Sequence, residues 1–323
     1  MGNLIDPKER LLLIILLVLA TAVWGILIFV TKGVFLAVIP VMYLLTTLIQ
    51  SGFISYLRGA GAIVSKVQYP DLYEHYSECC RKLKMKKEPV LVIINGNGIL
   101  NAFATKFLRT HYVVLYSNIV DAMDDHPEAI KFYMGHELGH ISRKHLLWMP
   151  YFAPVSFLPL IGAAYSRARE RTCDNYGLYC CASKDDAVRG MAALVVGVKR
   201  WKTLNIDALV MQAQAMRGFW MSYHELISDY PWTVRRLLSL HGEETRKKIP
   251  RRSIFVWPFV LITPRLNLMS IMILYIAIIG GAEYAKFNKT LTGLPEAQIQ
   301  NSSQGSKRYG EPENFDQWLI EEP

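Results

Sequence analysis

Residues 132–145, FYMGHELGHISRKH, contain two histidines and a glutamate in the pattern H-E-x-x-H. On a helix, His136 and His140 are about one turn apart, so they lie on one face and can bind the same metal ion. Glu137 lies beside them, where a carboxylate can act as general base toward a metal-bound water. The alternative is two histidines that merely share a helix, so the motif needs support from the rest of the chain.

A second helix is predicted to supply the ligand that the motif lacks. Catalytic zinc has three protein ligands and an open position for water, and H-E-x-x-H provides two. Glu170, 30 residues after His140, is the predicted third ligand. Asp174 follows one turn later on the same face and can accept a hydrogen bond from a ligand histidine. The alternative is a solvated face on which these carboxylates pair with nearby arginines, Arg167, Arg169 and Arg171.

The chain is more apolar than an ordinary soluble protein, with 52% hydrophobic residues and a mean hydropathy of +0.19. Residues 11–30 are 20 uncharged residues, enough to cross a hydrocarbon core of about 30 Å. Residues 33–56 form a second apolar run after Lys32, so the two predict a transmembrane hairpin. A cleaved signal peptide is the alternative, but it does not explain the second run. Residues 266–282 predict one C-terminal span.

Basic residues near the ends of these spans predict the orientation. Lys8 and Arg10 precede the first span, Arg58 follows the second, and residues 246–252 contain a basic cluster before the last. The positive-inside rule therefore places residues 59–252 in the cytoplasm. The predicted location is the plasma (inner) membrane, with the catalytic domain in the cytoplasm. Membrane association accounts for the net charge of +9, and no nucleic-acid partner is predicted.

The five cysteines are an odd number and have no metal-knuckle spacing. Neither a disulfide framework nor a second metal site can be derived from them. Free thiols in a reducing compartment are the predicted state, in agreement with the predicted orientation.

The region between the second and the last predicted span mixes helices with short strands. Residues 71–85 are predicted to be helical, and residues 89–94 and 111–117 are predicted strands. Residues 95–98, Asn-Gly-Asn-Gly, predict a turn between them.

One continuous helix is predicted from Pro127 through the H-E-x-x-H motif to Trp148. On such a helix His145 lies about 140° from His140, which is a poor position for a third ligand. His145 is therefore interpreted as a histidine without a functional partner. Residues 149–165 contain three prolines and predict a broken or re-entrant segment against the bilayer.

These motifs resemble the membrane zinc metallopeptidases of the HtpX-like and CAAX-prenyl-protease family. The similar segments are GHELGHISRKH, SRARERTCD, NAFA at residues 101–104 and DYPWTVRRLLSL at residues 229–240, and they extend over about residues 70–240. The membrane peptidases that sense beta-lactams also join H-E-x-x-H to a later E-x-x-C-D. The N-terminal hairpin and the segment YSRARE favour the HtpX-like resemblance.

The resemblance implies one zinc ion per chain as cofactor, bound by His136, His140 and Glu170. It implies Glu137 as general base and Asp174 as the partner of a ligand histidine. Tyr230 stands where the family usually has a histidine that stabilises the transition state, so it is the predicted second catalytic residue. The substrate cleft is predicted to contain a short segment and one arginine, Asn101, Ala102, Phe103, Ala104 and Arg236.

The predicted fold class is membrane-anchored α+β, a mostly helical zincin-like metalloprotease domain with a small sheet, an N-terminal transmembrane hairpin and one C-terminal transmembrane helix. Its predicted parts are the hairpin, the metallopeptidase domain, the C-terminal membrane segment and a polar tail, at residues 1–60, 61–252, 253–283 and 284–323. The predicted function is a zinc metalloendopeptidase whose partners are the bilayer and polypeptides, mainly membrane proteins. The alternatives are a site-specific processing or signalling protease and a non-catalytic, zinc-containing membrane adaptor.

Overall fold

The structure is a computed structural model that describes residues 4–156, 158 and 160–263, together with the single positions 275, 278 and 286. The chain divides into two compact units, Met1–Ile273 and Leu274–Pro323. All helices and strands given below lie in the first unit. The predicted C-terminal span and the polar tail lie almost entirely outside the described residues.

The described part of the chain is mostly helical, with one small sheet. The helices are α1 (Pro7–Val30), α2 (Phe35–Ala60), α3 (Pro70–Lys82), α4 (Ser117–Ala122), α5 (Ile130–Ser142), α6 (His145–Phe152), α7 (Ile161–Cys180), α8 (Lys184–Val196), α9 (Ile206–Ala215), α10 (Phe219–Ile227), α11 (Thr233–His241), α12 (Glu243–Lys248) and α13 (Trp257–Ile262). The strands are β1 (Ala62–Ile63), β2 (Val90–Ile94), β3 (Ala102–Phe107) and β4 (Thr110–Tyr116).

Helices α1 and α2 are both long and apolar enough to cross a membrane, at 24 and 26 residues. Only 11% of the most apolar window of α1 and 6% of that of α2 is buried within the protein. A core helix of a soluble protein would bury most of such a surface, so α1 and α2 are candidate membrane spans by length and composition. The two predicted N-terminal apolar helices are therefore present.

The outer ends of α1 and α2 contact the same body of the protein. At the start of α1, the Asp6 carboxylate accepts a hydrogen bond from the backbone N–H of Lys8 and pairs with Arg171 of α7 at 2.5 Å. At the end of α2, Ile54 and Leu57 are buried against the sheet. A hairpin whose two ends lie on one side has this geometry.

The sheet has the strand order β1-β2-β4-β3. Strands β2 and β4, both predicted from the sequence, pair in parallel, and β3 pairs antiparallel with β4. Strand β3 contains three of the four residues of the segment NAFA and lies at the edge of the sheet. Within the described chain, its outer side has no strand partner.

Helices α5 and α7 pack closely at a crossing that contains three glycines. This close packing lets the H-E-x-x-H motif of α5 face the glutamate and aspartate of α7. A Cβ atom on Gly177 would lie 2.6 Å from the backbone oxygen of Phe132, and one on Gly135 would lie 2.8 Å from Cys180. A Cβ on Gly139 would lie 3.1 Å from Tyr176. The helices can reach this separation only because no side chain stands between them.

Gly177→Ala is expected to lower both stability and metal content, because the added methyl meets backbone that cannot rotate away. Overpacking of this kind costs about 1–3 kcal/mol, and separating α5 from α7 moves the candidate ligands apart. Gly52→Ala in α2 is the matched control, since nothing lies within 4 Å of its Cβ position. Thermal unfolding in detergent and metal analysis would compare the two. Equal metal content and equal stability would contradict this account of the crossing.

The predicted continuous helix from Pro127 to Trp148 is wrong. A turn of 3-10 helix precedes α5, and α5 ends at Ser142. Two residues later, Lys144 adopts a left-handed conformation with φ of 58°. Helix α6 then starts in a new direction. The break follows the motif immediately and changes where His145 lies.

The proline-containing segment at residues 149–165 is broken, as predicted, and packs along α1. Helix α6 ends at Phe152 and a turn of 3-10 helix follows. Trp24 of α1 donates a hydrogen bond from its indole N–H to the backbone oxygen of Tyr151 at 2.9 Å. Leu16 and Val155 belong to one buried cluster. This segment therefore lies beside the apolar length of α1 and not only at its end.

Candidate active site

Three side chains from α5 and α7 converge at the crossing of the two helices. The Nε2 atom of His136 lies 3.4 Å from Oε2 of Glu170, and the Nε2 atom of His140 lies 3.7 Å from Oε1. Glu170 is only 3% exposed. Two imidazole nitrogens that both lie near one carboxylate are a donor type that suits zinc.

Asp174 and Arg236 lie behind this set. Oδ1 of Asp174 is 3.1 Å from Nδ1 of His136, an ion-pair distance without hydrogen-bond alignment. A carboxylate at this place favours a proton on Nδ1, which leaves Nε2 free for a metal. Arg236 of α11 donates two hydrogen bonds to the Asp174 carboxylate, at 2.9 and 2.6 Å. Its Nη2 atom lies 3.6 Å from Glu170. Asp174 thus lies beside His136, and Arg236 holds it there.

The electrostatics of the site favour a positive charge between the two carboxylates. Burial alone would lower the pKa of His136, but the nearby carboxylates of Asp174 and Glu170 outweigh burial and raise that pKa to about 10. Burial alone would raise the pKa of Glu170, but the two histidines and Arg236 hold it below its ordinary value. A metal cation at the same place fits this environment.

Glu137 lies on α5 between the two histidines and is 6% exposed. Burial raises the pKa of its carboxyl to about 7. The backbone of Ala104 in the edge strand β3 acts on that pKa in the opposite direction and lowers it, so β3 lies next to α5. A carboxyl with a pKa near 7 can both accept and release a proton at neutral pH.

His145, which sequence analysis interpreted as a histidine without a partner, forms part of the site. Because α5 ends at Ser142 and the chain changes direction there, the Nδ1 atom of His145 comes within 3.0 Å of Nδ1 of His140. Its Nε2 atom lies 3.2 Å from Oε1 of Glu9, near the start of α1. If His145 donates to Glu9 and accepts from His140, the Nε2 of His140 carries no proton and faces the metal position.

A second donor set competes with the first on geometry alone. One ligand atom from each of His136, His140 and Cys173 lies within 4.8 Å of the others. The Cys173 sulfur, however, lies 3.8 Å from Nδ1 of His145, which is the atom that faces Nδ1 of His140. Glu170 lies instead at the Nε2 atoms of both histidines. A set with Glu170 would leave Asp174 and His145 beside the Nδ1 atoms of His136 and His140.

The residues predicted for the substrate cleft lie in two places. Strand β3 contains Ala102, Phe103 and Ala104, and the exposed Asn101 precedes it. The ring of Phe103 lies 5.9 Å from that of Phe53 in α2. Arg236 is not part of this strand. It lies on α11 and forms the ion pair with Asp174 described above.

Tyr230 precedes α11 and is 59% exposed. The negative charge of Glu170 is the largest of the causes that raise the pKa of its phenol, followed by burial. The charge of Glu170 thus acts on the phenol, while the ring remains open to solvent.

A family model described as Peptidase family M48 matches residues 67–158. The match includes the H-E-x-x-H motif and β3 and ends before α7, and it indicates a metallopeptidase. It agrees with the class of enzyme expected from the sequence. Comparison with curated proteins gives no match, and comparison with solved structures gives none either.

Proposed function

We propose that this protein is a zinc-dependent, membrane-bound endopeptidase of the HtpX-like kind. The observation that carries the proposal is the convergence of His136, His140 and Glu170 beside Glu137, next to a strand edge without a partner in the described chain. Structural zinc sites use four protein ligands, whereas a catalytic site leaves one position open for water. Three donors beside a buried carboxylate support the catalytic role.

In this proposal His136, His140 and Glu170 would hold the zinc ion. Bound zinc would lower the pKa of a coordinated water to about 7 and polarise the substrate carbonyl. Glu137 would take the proton from the attacking water and pass it to the leaving amine. Asp174 and His145 would keep the Nδ1 atoms of the ligand histidines engaged, so that each Nε2 faces the metal.

The substrate would bind as an extended strand along the outer side of β3. A protease must hold the backbone on both sides of the bond that it cleaves, and an open strand edge offers N–H and C=O groups for that purpose. The backbone of Ala104 on this edge lies near enough to Glu137 to act on the pKa of its carboxyl, so the edge adjoins the proposed catalytic carboxylate. Asn101 and Phe103 would line the same cleft.

The position of β3 favours substrates at or near a membrane. Phe103 contacts Phe53 of α2, so the proposed cleft lies beside the end of an apolar helix. The basic residues near the span ends support a plasma (inner) membrane location with the catalytic region in the cytoplasm. Membrane proteins and membrane-proximal polypeptides are therefore the proposed substrates.

Removing the metal is expected to stop hydrolysis reversibly. Full-length protein purified in detergent without chelator should contain one zinc per chain and degrade an unfolded membrane protein. Chelation should abolish this activity, and added zinc should restore it. Stoichiometric zinc without hydrolysis of any unfolded substrate would instead favour a non-catalytic membrane adaptor.

Tyr230→Phe is expected to reduce turnover about a hundredfold, because the tyrosine hydroxyl would donate to the oxygen that gains negative charge during attack. The phenol is a neutral donor at working pH, since its pKa is raised above an already high ordinary value. Zinc content and thermal stability should not change, because only the hydroxyl is removed. Tyr69→Phe, at another exposed tyrosine, is the control. Unchanged turnover would leave Tyr230 a surface packing residue.

A further inference from the structure

A cavity of about 730 Å³ has the Arg236–Asp174 pair, but none of the candidate metal ligands, in its lining. Seven basic and three acidic side chains line it, an excess of four positive charges. Its volume falls within the range of about 300–1,000 Å³ that is typical of small-molecule sites. None of the metal or substrate residues other than the Arg236–Asp174 pair reaches it, so it is separate from the proposed cleft.

Each of the three acidic side chains is already paired with an arginine of the same cavity. Glu225, which is 1% exposed, accepts two hydrogen bonds from Arg252 at 3.1 Å and lies 3.3 Å from Arg235. Arg171 pairs with Asp6, and Arg236 pairs with Asp174. These pairs fix the arginines in place and neutralise part of the lining.

Three basic side chains of the lining remain without such a partner. Lys8, Arg246 and Arg251 line the cavity and are exposed. Within the part of the chain that the structure describes, no carboxylate lies within 4.0 Å of any of them. Their positive charges are free to bind an anion, and arginine guanidinium groups bind phosphate oxygens with two parallel hydrogen bonds.

The surroundings of the cavity identify the source of that anion. Lys8 belongs to the first turn of α1, so the cavity lies at one end of a candidate membrane span. Trp257 of α13 lines the cavity, and apolar side chains next to it are largely exposed, Ile254 at 72%, Phe255 at 74% and Ile262 at 78%. A basic cavity with an exposed apolar border suits a molecule with a phosphate at one end and hydrocarbon at the other.

We propose that this cavity binds the phosphate of an anionic membrane lipid, with Lys8, Arg246 and Arg251 contacting the headgroup. The acyl chains extend past Ile254, Phe255 and Ile262 into the bilayer. Bound lipid links the start of α1 to the segment before α13 and so supports α11 behind the metal ligands. A free phosphate offers the same oxygens but gains nothing from the apolar border.

The test is lipid retention by the full-length protein. The protein is purified in micelles that contain equal amounts of phosphatidylglycerol and phosphatidylcholine, and native mass spectrometry measures the ratio of the two lipids retained. Arg246→Gln combined with Arg251→Gln should lower this ratio about thirtyfold, since each basic residue near an anionic lipid changes affinity about fivefold. Lys86→Gln combined with Lys87→Gln removes two exposed charges that do not line the cavity and should leave the ratio unchanged.

A second arm separates the two sources of phosphate. Inorganic phosphate is titrated at constant ionic strength in a neutral detergent, and thermal unfolding is followed. No stabilisation by phosphate, together with selective retention of phosphatidylglycerol, is the result expected for a lipid site. Stabilisation that is lost in the double variant, without selective lipid retention, would overturn the lipid assignment in favour of a soluble phosphate compound. Equal retention in wild type and double variant would overturn the site altogether. If the double variant does not fold, Lys8→Gln alone provides the same comparison.

Discussion

Glu137→Gln is expected to abolish peptide hydrolysis and to leave the zinc content unchanged. The proposed ligands are His136, His140 and Glu170, and Glu137 contributes no donor to them. The amide of glutamine has nearly the shape of the carboxylate but cannot accept a proton from water at neutral pH. Loss of a general base costs about 10²–10⁴ in rate, and here the same group would also deliver the proton to the leaving amine, so the upper end is expected.

The measurement is turnover of an unfolded substrate together with metal analysis of the same preparation. Glu74→Gln, at an exposed glutamate of α3, makes the same chemical change away from the site and should have no effect. A Glu137→Gln variant that keeps both its zinc and its activity would rule out the mechanism. A variant that loses zinc would mean that Glu137 is itself a ligand and that another group acts as base.

The part of the site that depends on spacing along a helix could be predicted from the sequence. His136 and His140 are one turn apart, and so are Glu170 and Asp174, so each pair shares a face whatever the rest of the fold does. The structure brings the two pairs together at distances of 3.1 to 3.7 Å. The sequence contains the glycines that allow the two helices to pack closely, but it does not show which helix each glycine packs against.

The contribution of His145 could not be predicted, because it depends on where one helix stops. The sequence around Arg143 and Lys144 contains no glycine or proline, so a continuous helix was the reasonable expectation. The left-handed conformation at Lys144 is stabilised by the tertiary contacts that follow it. One of these joins His145 to Glu9, which lies 136 positions away, and local patterns carry no information about such a distant partner.

The sheet, too, could be predicted only in part from local sequence patterns. Strands β2 and β4 were predicted from runs of branched apolar residues, which respond to local preference. Strand β3, with Ala102 and Lys106, lacks such a run and was not predicted as a strand; the resemblance assigned only residues 101–104 to the substrate cleft. Its place at the edge follows from the pairing of β4 with β2 on one side and β3 on the other.

Glu170→Gln is expected to remove zinc from the protein almost completely, whereas Cys173→Ala is expected to retain it. Both residues lie on α7 and both are buried, so each could serve as the third ligand by position alone. Outer partners of a ligand change zinc affinity about ten- to hundredfold, and loss of a ligand should exceed this. The neutral amide of glutamine binds zinc poorly and also leaves Arg236 without part of its counter-charge.

The two variants separate the donor sets because each set requires only one of the two residues. Zinc content after purification without chelator, and zinc affinity by competition with a coloured chelator, are measured in parallel with thermal unfolding. Cys173→Ala leaves a small void at a fully buried position, so a modest fall in stability with zinc retained agrees with a packing role for the thiol. The reverse pattern, in which Cys173→Ala loses zinc and Glu170→Gln keeps it, would transfer the third ligand to the sulfur. His145 would then lie beside a second metal ligand, Cys173, in addition to His140. Glu170 would be an acidic neighbour of the open coordination position. It could then compete with Glu137 for the proton of the attacking water.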